Sequence, residues 1–490
     1  MLQKISIDPI TRLEGHGKIE IFLNDQGNVE RAFLQVPELR GFEKFCVGRH
    51  AEEMNRITPR ICGVCPSAHH MASTKALDDL FKVEPPPAAK AIRELFYNMF
   101  MFEDHLLHFF YLGGPDFIVG PDAPKAERNI LGVIGKVGLD TAGALIAMRR
   151  QVRELMTEIG GKVIHPVLGL PGGVSKRVTE DQRDKLRKVA AQAVEFAEFT
   201  LKALHDIVLA NEKYVDLITS DLYKLETYYM GMVDKNNKAT FYDGDVRIVD
   251  QKGKEFGRFR GIGYLDWIGE HVEPWSYIKF PYLRKLGWKG FVDGDETSLY
   301  RVAPLARLNV ADGMASPKAQ AAYEEFYKTL GGKPVHLTLA YHWARVVEIM
   351  QAAEEMVRFS NLPELTDPDV RTIPTATPSE GVGIVEAPRG TLIHHYKSDA
   401  DGIMTECNLI VATISNSASM FMNVEKAAKA LIKKGKVDDG LLNMVEMAFR
   451  PYDPCLACAT HTLPGEMPLI VTIKDKDGNV IKELRRDWGH

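Results

Sequence analysis

The sequence lacks any apolar run close to the length of about 18 residues that a membrane-spanning helix needs. The first five residues, Met1 to Ile5, also lack the basic and apolar segments of a secretory signal. We therefore expect a cytoplasmic protein without a membrane span. Charge of one sign is not concentrated anywhere: 61 Lys and Arg against 66 Asp and Glu give a formal net charge of −5. This balance gives no reason to expect nucleic acid or an anionic membrane as a partner.

Repeats and low-complexity linkers are absent too, and a hydrophobic content of 45% indicates an ordinary globular protein. Helical patterns dominate. Helices are predicted over residues 88–112, about 140–159, 179 to beyond 205, 317–330, 340–359 and about 424–433, and β-hairpins over 18–34, 246–259 and 469–481. The pattern predicts a mainly α fold with peripheral β-hairpins, of the α+β class, whose core is a bundle of long helices.

Cysteine is scarce, and its placement is informative. Six cysteines in 490 residues do not make a disulfide framework. Four of them form two Cys-x-x-Cys pairs near opposite ends of the chain, which are Cys62 with Cys65 and Cys455 with Cys458. In each pair the spacing lets two thiolates at one chain bend bind the same metal. The remaining two, Cys46 and Cys407, are predicted to be buried structural thiols.

Four thiolates form a soft site, which suits zinc, an iron–sulfur cluster, or nickel and iron. Zinc ribbons place their two pairs about 15–20 residues apart, so the wide separation here excludes a local zinc knuckle. A long-range structural zinc site and two separate redox pairs both remain open on spacing alone. The chemistry of the residues therefore predicts a four-thiolate metal site and goes no further.

Five motifs in a fixed order narrow this choice. The cysteine pairs are accompanied by IDPITRLEGH at 7–16, RGFE at 40–43, EAPRG at 386–390 and the stretch 408–416. Together they resemble the large, catalytic subunits of nickel–iron hydrogenases along nearly the whole chain. Within that family the chain looks most similar to the methyl-viologen-reducing and F420-reducing group. The resemblance implies the long-helix fold of these subunits and reversible heterolytic cleavage of H2 to protons and electrons.

The resemblance implies roles for the four cysteines. Cys62 and Cys455 would be terminal nickel ligands, and Cys65 and Cys458 would bridge nickel and an iron that carries carbon monoxide and cyanide. Cys455 would accept the first proton, and Glu14 would relay it, because burial can tune the pKa of a carboxylate toward the operating pH. Without the motif, Glu14 would be interpreted as a buried ion pair with Arg12.

Further roles follow from the same resemblance. Arg389 would lie over the open side of the iron, with Asp116 and Asp453 holding its guanidinium in place. Thr413 could donate a hydrogen bond to a cyanide. His69 would donate one to a bridging sulfur and is not expected to be a ligand.

A second metal is also implied. Glu43, the backbone carbonyl of Leu409 and His461 match ligands of magnesium, or of iron, in the family. Such an ion would tie the two ends of the chain together. The alternative for Glu43 is a solvated charge beside Lys44, and spacing alone does not reject it.

The domain and partner predictions complete this interpretation. Residues 1–461 are expected to form a single large hydrogenase catalytic domain, with about 234–300 as a β-rich insertion. Residues 462–490 would be a C-terminal extension, cleaved on maturation by an endopeptidase or retained. Because no further cysteine set could hold iron–sulfur clusters, the expected partners are an iron–sulfur small subunit with further electron-transfer subunits.

Three other interpretations compete with a hydrogenase. A hydrogen-sensing subunit with little turnover would keep the same ligands. A quinone-site subunit of respiratory complex I would have lost the cysteines, and all four are present. A long-range structural zinc protein explains the thiolates but leaves Glu14, Glu43 and Arg389 without a role.

Overall fold

Helices account for most of the ordered chain in this computed structural model, which describes residues 3–273, 276–460, 469–474 and 479–486. The α-helices are Phe42–Cys46, Met54–Ile57, Pro66–Leu80, Pro87–Leu107, Pro115–Ile118, Ile130–Val137, Leu139–Gly160, Glu180–Leu204, Glu212–Thr219, Pro304–Val310, Pro317–Thr329, Tyr341–Ser360, Ala412–Ser415, Ser417–Leu431, Asp439–Glu446 and Leu456–Ala459. In the described part of the chain no helix combines the length and apolar character that crossing a membrane requires.

Three long helices form the centre of the bundle. Tyr341–Ser360 packs against both Pro87–Leu107 and Glu180–Leu204. The last of these starts where the sequence predicts, because the Thr179 side chain accepts a hydrogen bond from the Gln182 backbone N–H and the Gln182 side chain accepts one from the Thr179 backbone N–H. The predicted long helices at 88–112, 140–159, 317–330 and 340–359 are likewise present, within a few residues of their predicted ends.

The strands form small sheets around and within the bundle. They are Gln3–Ile7, Lys18–Leu23, Val29–Gln35, Gly169–Leu170, Gly173–Val174, Tyr228–Val233, Asp245–Val249, Glu255–Phe259, Ile268–Val272, Lys279–Leu283, Tyr300–Arg301, Glu380–Ala387, Gly390–Ser398, Met404–Ile410, Leu469–Lys474 and Val480–Arg486. The predicted hairpins at 18–34 and 246–259 are both present, the first extended by Gln3–Ile7 into a three-stranded antiparallel sheet. The C-terminal strands also pair antiparallel, as predicted.

Most of the strands between 228 and 301 belong to one mixed sheet. Tyr228–Val233, Asp245–Val249 and Glu255–Phe259 run antiparallel, and Tyr300–Arg301 joins the first of them in parallel. Ile268–Val272 and Lys279–Leu283 pair separately. The region is therefore β-rich as expected, while its description as an insertion in one large domain stays a prediction.

One buried sheet is missing from the sequence-based prediction. Glu380–Ala387, Gly390–Ser398 and Met404–Ile410 form an antiparallel sheet that packs on the helix Pro66–Leu80. The contact is very close, since a Cβ added at Gly383 would lie 2.0 Å from the carbonyl oxygen of Ala72. Only glycine fits there, and this close approach brings the helix after the first cysteine motif directly against the strand that follows Arg389.

Candidate metal centre

The four motif cysteines converge at one buried point. The Sγ–Sγ distances are 3.2 Å for Cys62 and Cys455, 3.2 Å for Cys65 and Cys458, 2.9 Å for Cys455 and Cys458, and 4.0 Å for Cys65 and Cys455. All four sulfurs lie within 4.8 Å of one another. A cluster this tight, with ligands from both ends of the chain, is the predicted four-thiolate site.

Local backbone geometry aims each pair of thiols. In the first motif, Cys65 precedes the helix Pro66–Leu80, and Cys62 Sγ accepts hydrogen bonds from the backbone N–H groups of Val64 and Cys65, each at 3.2 Å. These bonds turn the loop so that both sulfurs face the same side. Backbone amides that donate to a sulfur also favour its thiolate form, which is the form that binds metal.

The second motif is held by the segment that contains Glu14. The Leu456 N–H donates to the Glu14 carbonyl at 2.9 Å, and the Glu14 N–H donates to the Pro454 carbonyl at 3.3 Å. The next residue, Gly15, has φ +82°, and a Cβ there would lie 2.7 Å from the Ala457 nitrogen. A left-handed glycine is therefore required for the two ends of the chain to meet at the site.

The Glu14 carboxylate contacts a motif cysteine directly. Its Oε2 accepts hydrogen bonds from Cys455 Sγ at 2.9 Å and from the Ala457 N–H at 3.1 Å. Burial raises the pKa of Glu14, as does the charge of Cys62, while the two hydrogen bonds and Arg389 act in the opposite direction. The alternative of an ion pair between Glu14 and Arg12 is wrong, because Arg12 instead binds a different carboxylate, described below.

The thiols titrate as one group. Burial alone would raise the pKa of Cys62, but hydrogen bonds from the three other cysteines outweigh it and hold that pKa well below its ordinary value. Burial raises the pKa of Cys455 and of Cys458. Four thiolates in so small a volume repel each other, so this arrangement is stable with all four ionised only when cations are present.

A cavity of about 220 Å³ opens beside two of the sulfurs. It is lined by Cys65 and Cys458, and not by Cys62 or Cys455. The opposite wall comprises the apolar side chains and charged or polar groups of Ala387, Arg389, Leu392, Val411, Ala412 and Thr413. Two thiols of the four therefore face a small chamber that contains a guanidinium and a hydroxyl.

Arg389 is fixed by two acidic residues. Its Nε donates to the Asp453 carbonyl oxygen at 2.8 Å, and its Nη1 donates to Asp104 Oδ2 at 3.2 Å. Its Nη2 makes an ion pair at 3.0 Å with Asp453 Oδ2 and has no hydrogen-bond partner in the described structure. Burial works against the charged guanidinium, but Asp104 and Asp453 outweigh it and keep the pKa of Arg389 above its ordinary value.

The predicted contact between Arg389 and Asp116 is wrong. Asp116 instead accepts hydrogen bonds from Arg12 Nη2 at 2.6 Å and from Arg450 Nη1 at 2.6 Å. Burial opposes its charge, but Arg450 and Arg12 outweigh burial and lower the pKa of Asp116. With both oxygens saturated by other arginines, Asp116 holds the N-terminal segment to the C-terminal one and leaves Arg389 to Asp104.

Asp104 is a site residue that the sequence analysis missed. It lies in the apolar helix Pro87–Leu107, and burial raises its pKa to about 7 although Arg389 acts in the opposite direction. A fully buried acid in an apolar helix is costly unless it has a charged partner. The acidic residues within that otherwise apolar helix were therefore the available signal.

The turn that carries Arg389 is held by a second buried ion pair. Glu386 Oε2 accepts from Arg307 Nη1 at 2.8 Å, and Glu386 Oε1 accepts from the Thr391 hydroxyl at 2.6 Å. Arg307 also donates to the Ala387 carbonyl at 2.9 Å and pairs with Glu348 at 2.6 Å. This network fixes the backbone on both sides of the arginine, which pre-organises its side chain.

Two residues predicted to support the metal lie beside the cysteines. His69 Nε2 is 3.5 Å from Cys458 Sγ, in agreement with its predicted contact to a bridging sulfur. Thr413 lines the cavity, and its Oγ1 accepts a hydrogen bond from the Cys455 N–H at 3.3 Å. Its hydroxyl proton is therefore available to a cavity ligand, and the predicted bond to cyanide stays a prediction.

The second predicted metal site is only partly within the described structure. Glu43 Oε1 accepts a hydrogen bond from the Leu409 N–H at 2.7 Å, so these two residues are in contact. Glu43 Oε2 also lies 3.9 Å from Lys279 Nζ, and the side chain is mostly buried, which makes a purely solvated charge wrong. His461 lies outside the described residues. Cys46 and Cys407 are both buried, as expected for structural thiols.

Comparison with known proteins places this geometry in a family. The chain matches the nickel-dependent hydrogenase family over residues 40–131 and 294–461, and a HoxL-like family over 4–39. The matched ranges contain every motif cysteine. The chain belongs to the nickel-dependent hydrogenase large-subunit family. The prediction made from five ordered motifs is thereby confirmed.

Relatives at high identity span the whole hydrogenase chain. The iron-sulfur subunit of this type from the F420-non-reducing hydrogenase of Archaeoglobus profundus is 51% identical over 485 residues, which are 99% of this chain and 100% of the relative. The corresponding subunit of the F420-non-reducing hydrogenase of Methanothermobacter thermautotrophicus is 43% identical, over 98% of this chain and 100% of that one. The beta subunit of the NAD-reducing hydrogenase HoxS of Cupriavidus necator is 38% identical, over 99% of this chain and 100% of that one.

Solved structures agree with this assignment. The hydrogenase chain superimposes on an NAD⁺-reducing [NiFe]-hydrogenase in the H2-reduced state with a TM-score of 0.86 and 35% identity, over 94% of this chain and 99% of that one. A Ni-Fe-Se hydrogenase of D. vulgaris Hildenborough gives a TM-score of 0.74 at 24% identity, over 94% of this chain and 100% of that one, and shares the fold. The predicted α+β fold of the hydrogenase large subunits is confirmed, and the protein is an oxidoreductase of the hydrogenase class.

Proposed function

We propose that this hydrogenase cleaves H2 heterolytically and reversibly at a nickel–iron centre bound by Cys62, Cys65, Cys455 and Cys458. The observation that carries the proposal is the contact between the Cys455 thiol and the buried Glu14 carboxylate, at 2.9 Å. It provides a base beside the metal-binding sulfurs and a direction in which a proton can leave. A structural zinc site has no use for such a base.

The residues fit the centre that the family implies. The soft donor set suits nickel and iron, and the proposed bridging pair, Cys65 and Cys458, is the pair that lines the 220 Å³ cavity. Iron that bears carbon monoxide and cyanide would occupy that chamber. The buried Nη2 of Arg389 and the hydroxyl of Thr413 are suitable donors for anionic cyanide, and the apolar wall suits carbon monoxide.

The chain's own residues handle the proton. When bound, the metal centre supplies the Lewis-acid and redox chemistry that polarises H2 and accepts its two electrons. Cys455 Sγ holds the first proton and passes it to Glu14 Oε2, which is already within hydrogen-bond distance. Burial raises the pKa of Glu14 toward that of a thiol, so the transfer is closer to thermoneutral than it would be to an exposed carboxylate. Arg389 is held over the cavity by Asp104 and Asp453 and contributes fixed positive charge.

Electrons must leave through another subunit. The sequence has only two cysteines outside the motifs, Cys46 and Cys407, and two thiols do not hold an iron–sulfur cluster. The relatives are themselves named as single subunits of hydrogenases. An iron–sulfur small subunit, with further electron-transfer subunits behind it, is the partner that this chemistry requires. A cytoplasmic location is part of the same proposal and rests on the sequence.

Two accessory features are included. Glu43 and the Leu409 carbonyl, with His461, would bind magnesium or iron and join the strand Met404–Ile410 to the end of the catalytic part. Residues 462–490 would be removed after His461 by a maturation endopeptidase once nickel is bound. Intact-mass measurement of active enzyme tests the last point: we expect a chain that ends at His461, and an active full-length chain with nickel would contradict it.

The direct test is an infrared spectrum of the purified hydrogenase with its co-purifying subunits. We expect bands in the region of metal-bound carbon monoxide and cyanide, together with nickel in the large subunit, plus H2-dependent dye reduction. A mature chain that binds zinc and shows no such bands would overturn the proposal. Bands without turnover in the assembled complex would favour a hydrogen sensor.

A further inference from the structure

A second hydrogen-bonded chain leaves the cysteine cluster from Cys458, whereas Glu14 contacts Cys455. From Cys458 Sγ it passes to His69 Nε2 at 3.5 Å, and from His69 Nδ1 to His394 Nε2 at 3.1 Å. His394 Nδ1 is 2.6 Å from the Tyr396 hydroxyl, which in turn is 2.9 Å from Ser73 Oγ. All five residues of this chain are buried. It is therefore an ordered polar path inside the core, and only its first contact belongs to the predicted site.

The fold fixes this chain from two rigid elements. His69 and Ser73 are four residues apart on the helix Pro66–Leu80, so both project from one face. His394 and Tyr396 are two residues apart on the strand Gly390–Ser398 and project from one face of the sheet. The close glycine-mediated packing of this sheet on the helix brings the two pairs together. The path runs from helix to strand and back to the helix, which leaves its four side chains little freedom to reorient.

The metal end of the chain sets the direction of its protons. A sulfur that bridges two metals carries no proton, so it only accepts, and His69 Nε2 must donate to Cys458. A neutral imidazole has one N–H, so His69 Nδ1 is then an acceptor, and His394 Nε2 must donate to it. By the same rule His394 Nδ1 accepts from the Tyr396 hydroxyl. That hydroxyl donates to Ser73 instead only when the two imidazoles share an additional proton.

From this geometry we infer that His394 and Tyr396 are positioning residues, which hold His69 in the tautomer whose Nε2 proton points at the sulfur of Cys458. The inference deepens the proposed function and rests on it, because a metal-bound sulfur defines the direction of donation. His394 and Tyr396 act through His69 and do not touch the cysteines. A fixed hydrogen bond to a bridging sulfur withdraws electron density from it and so tunes the metals that it binds.

The path is not a proton exit. Its far end, Ser73, is fully buried, as are Tyr396 and the neighbouring Thr58. Thr58 donates to the Met54 carbonyl at 2.7 Å, so its proton is already used within its own helical turn. The pKa of Tyr396 is raised well above its ordinary value because the hydroxyl is buried, which keeps the hydroxyl protonated. The chain thus has an orienting role, whereas Glu14 serves the other cysteine of the second motif.

The test uses four variants of the intact hydrogenase with its co-purifying subunits. H394A removes the donor to His69, and Y396F removes the hydroxyl behind it. H394Q is the conservative variant, since an amide N–H can still donate to His69 Nδ1. H395Q is the matched control: His395 is the next residue on the strand, but it faces away and contacts Tyr264 at 2.8 Å and Glu380 at 2.9 Å.

The readouts are the carbon monoxide stretching band, nickel content, and kcat and KM for H2. We expect H394A and Y396F to move the band to lower wavenumber, since the bridging sulfur becomes a stronger donor, and to lower kcat about 10-fold with KM little changed. H394Q and H395Q should keep the wild-type band. If H394A does not incorporate nickel, Y396F decides the question.

An unmoved band in nickel-loaded H394A, or in Y396F, would overturn the inference. An equal shift in H395Q would do so too, since the effect would then be general to the strand. If wild-type enzyme shows no carbon monoxide or cyanide bands, the proposed centre itself fails, and this inference with it. Bands in the wild type that no variant moves would overturn only the inference.

Discussion

The Sγ atom of Cys455 and the Oε2 atom of Glu14 lie 2.9 Å apart although 441 positions separate the two residues in the chain. Backbone hydrogen bonds between the same two segments hold this contact, since the Leu456 N–H donates to the Glu14 carbonyl. The carboxylate is thus positioned by the main chain and does not depend on an ion pair. This geometry makes Glu14 the most informative residue to change.

Replacing Glu14 with glutamine should stop proton transfer while leaving the metals in place. The amide is isosteric and can still accept hydrogen bonds from Cys455 and Ala457, but it cannot take up a proton. We expect kcat for H2 oxidation and the exchange of D2 with water to fall by about 100-fold or more, with nickel content unchanged. Glu38→Gln is the matched control, because Glu38 only pairs with exposed His16. Normal exchange in the Glu14 variant would contradict a relay role.

The fork of Arg389 should matter more than its charge. Lysine keeps the positive charge but cannot donate to the Asp453 carbonyl and to Asp104 at once and still direct a third nitrogen to the cavity. We expect Arg389→Lys to lower kcat about 100-fold with the polypeptide still folded. Arg358→Lys, on a half-exposed ion pair with Glu355, should leave activity unchanged. Wild-type kcat in the Arg389 variant would show that charge alone suffices.

Asp116 and Asp104 should have separable effects. Asp116→Asn weakens the contacts to Arg12 and Arg450, so the buried arginines lose their anionic partner, and the unfolding free energy should fall by about 3 kcal/mol. Asp104→Asn loosens Arg389 and should lower kcat more than it lowers the thermal midpoint. The two variants are compared by thermal unfolding and H2 oxidation on the same preparations. The reverse pattern would restore the original assignment of Asp116 to Arg389.

Asp104 should also give the enzyme a pH-dependent stability. Burial raises its pKa to about 7 in the folded state, with Arg389 acting against the shift, whereas an unfolded aspartate has a pKa of about 3.9. The folded state therefore binds the proton more tightly, so the stabilising contribution is complete below about pH 4 and is lost as the pH rises through about 7. Between these values, we expect the thermal midpoint of the wild type to fall relative to that of Asp104→Asn. A difference that is constant with pH would show that Asp104 stays ionised.

The sequence predicted the chemistry of the site better than its wiring. Cys62, Cys65, Cys455 and Cys458 were identifiable because their residue type and spacing are rare outside metal sites. The partner of Arg389 was not, because two aspartates with similar local sequence differ only in where a long helix places them. Asp104 and Asp116 are separated by a π-helical segment, His108–Gly113, which changes the direction of the chain between them. Periodicity does not report such a change.

The helices were predictable, and the buried sheet was not. Helices such as Glu180–Leu204 have one apolar face and a capping box at the first turn, so pattern and end signals agree. In Glu380–Ala387 nearly every residue is buried on both faces, so the alternation that marks a strand is absent. The chain of His69, His394 and Tyr396 depends on that sheet, and for this reason it could not be foreseen from sequence.

The distance in sequence between the two cysteine motifs also has a meaning in time. Cys62 and Cys455 are 393 residues apart. At a synthesis rate of about 5–20 residues per second, roughly 20–80 s pass between the appearance of the first pair of thiols and that of the second. During that interval the ribosome-bound chain presents a two-thiolate half-site, which is open to zinc or any other soft cation. Selection of the correct metals therefore begins only when translation is nearly complete, and until then the half-site must remain empty.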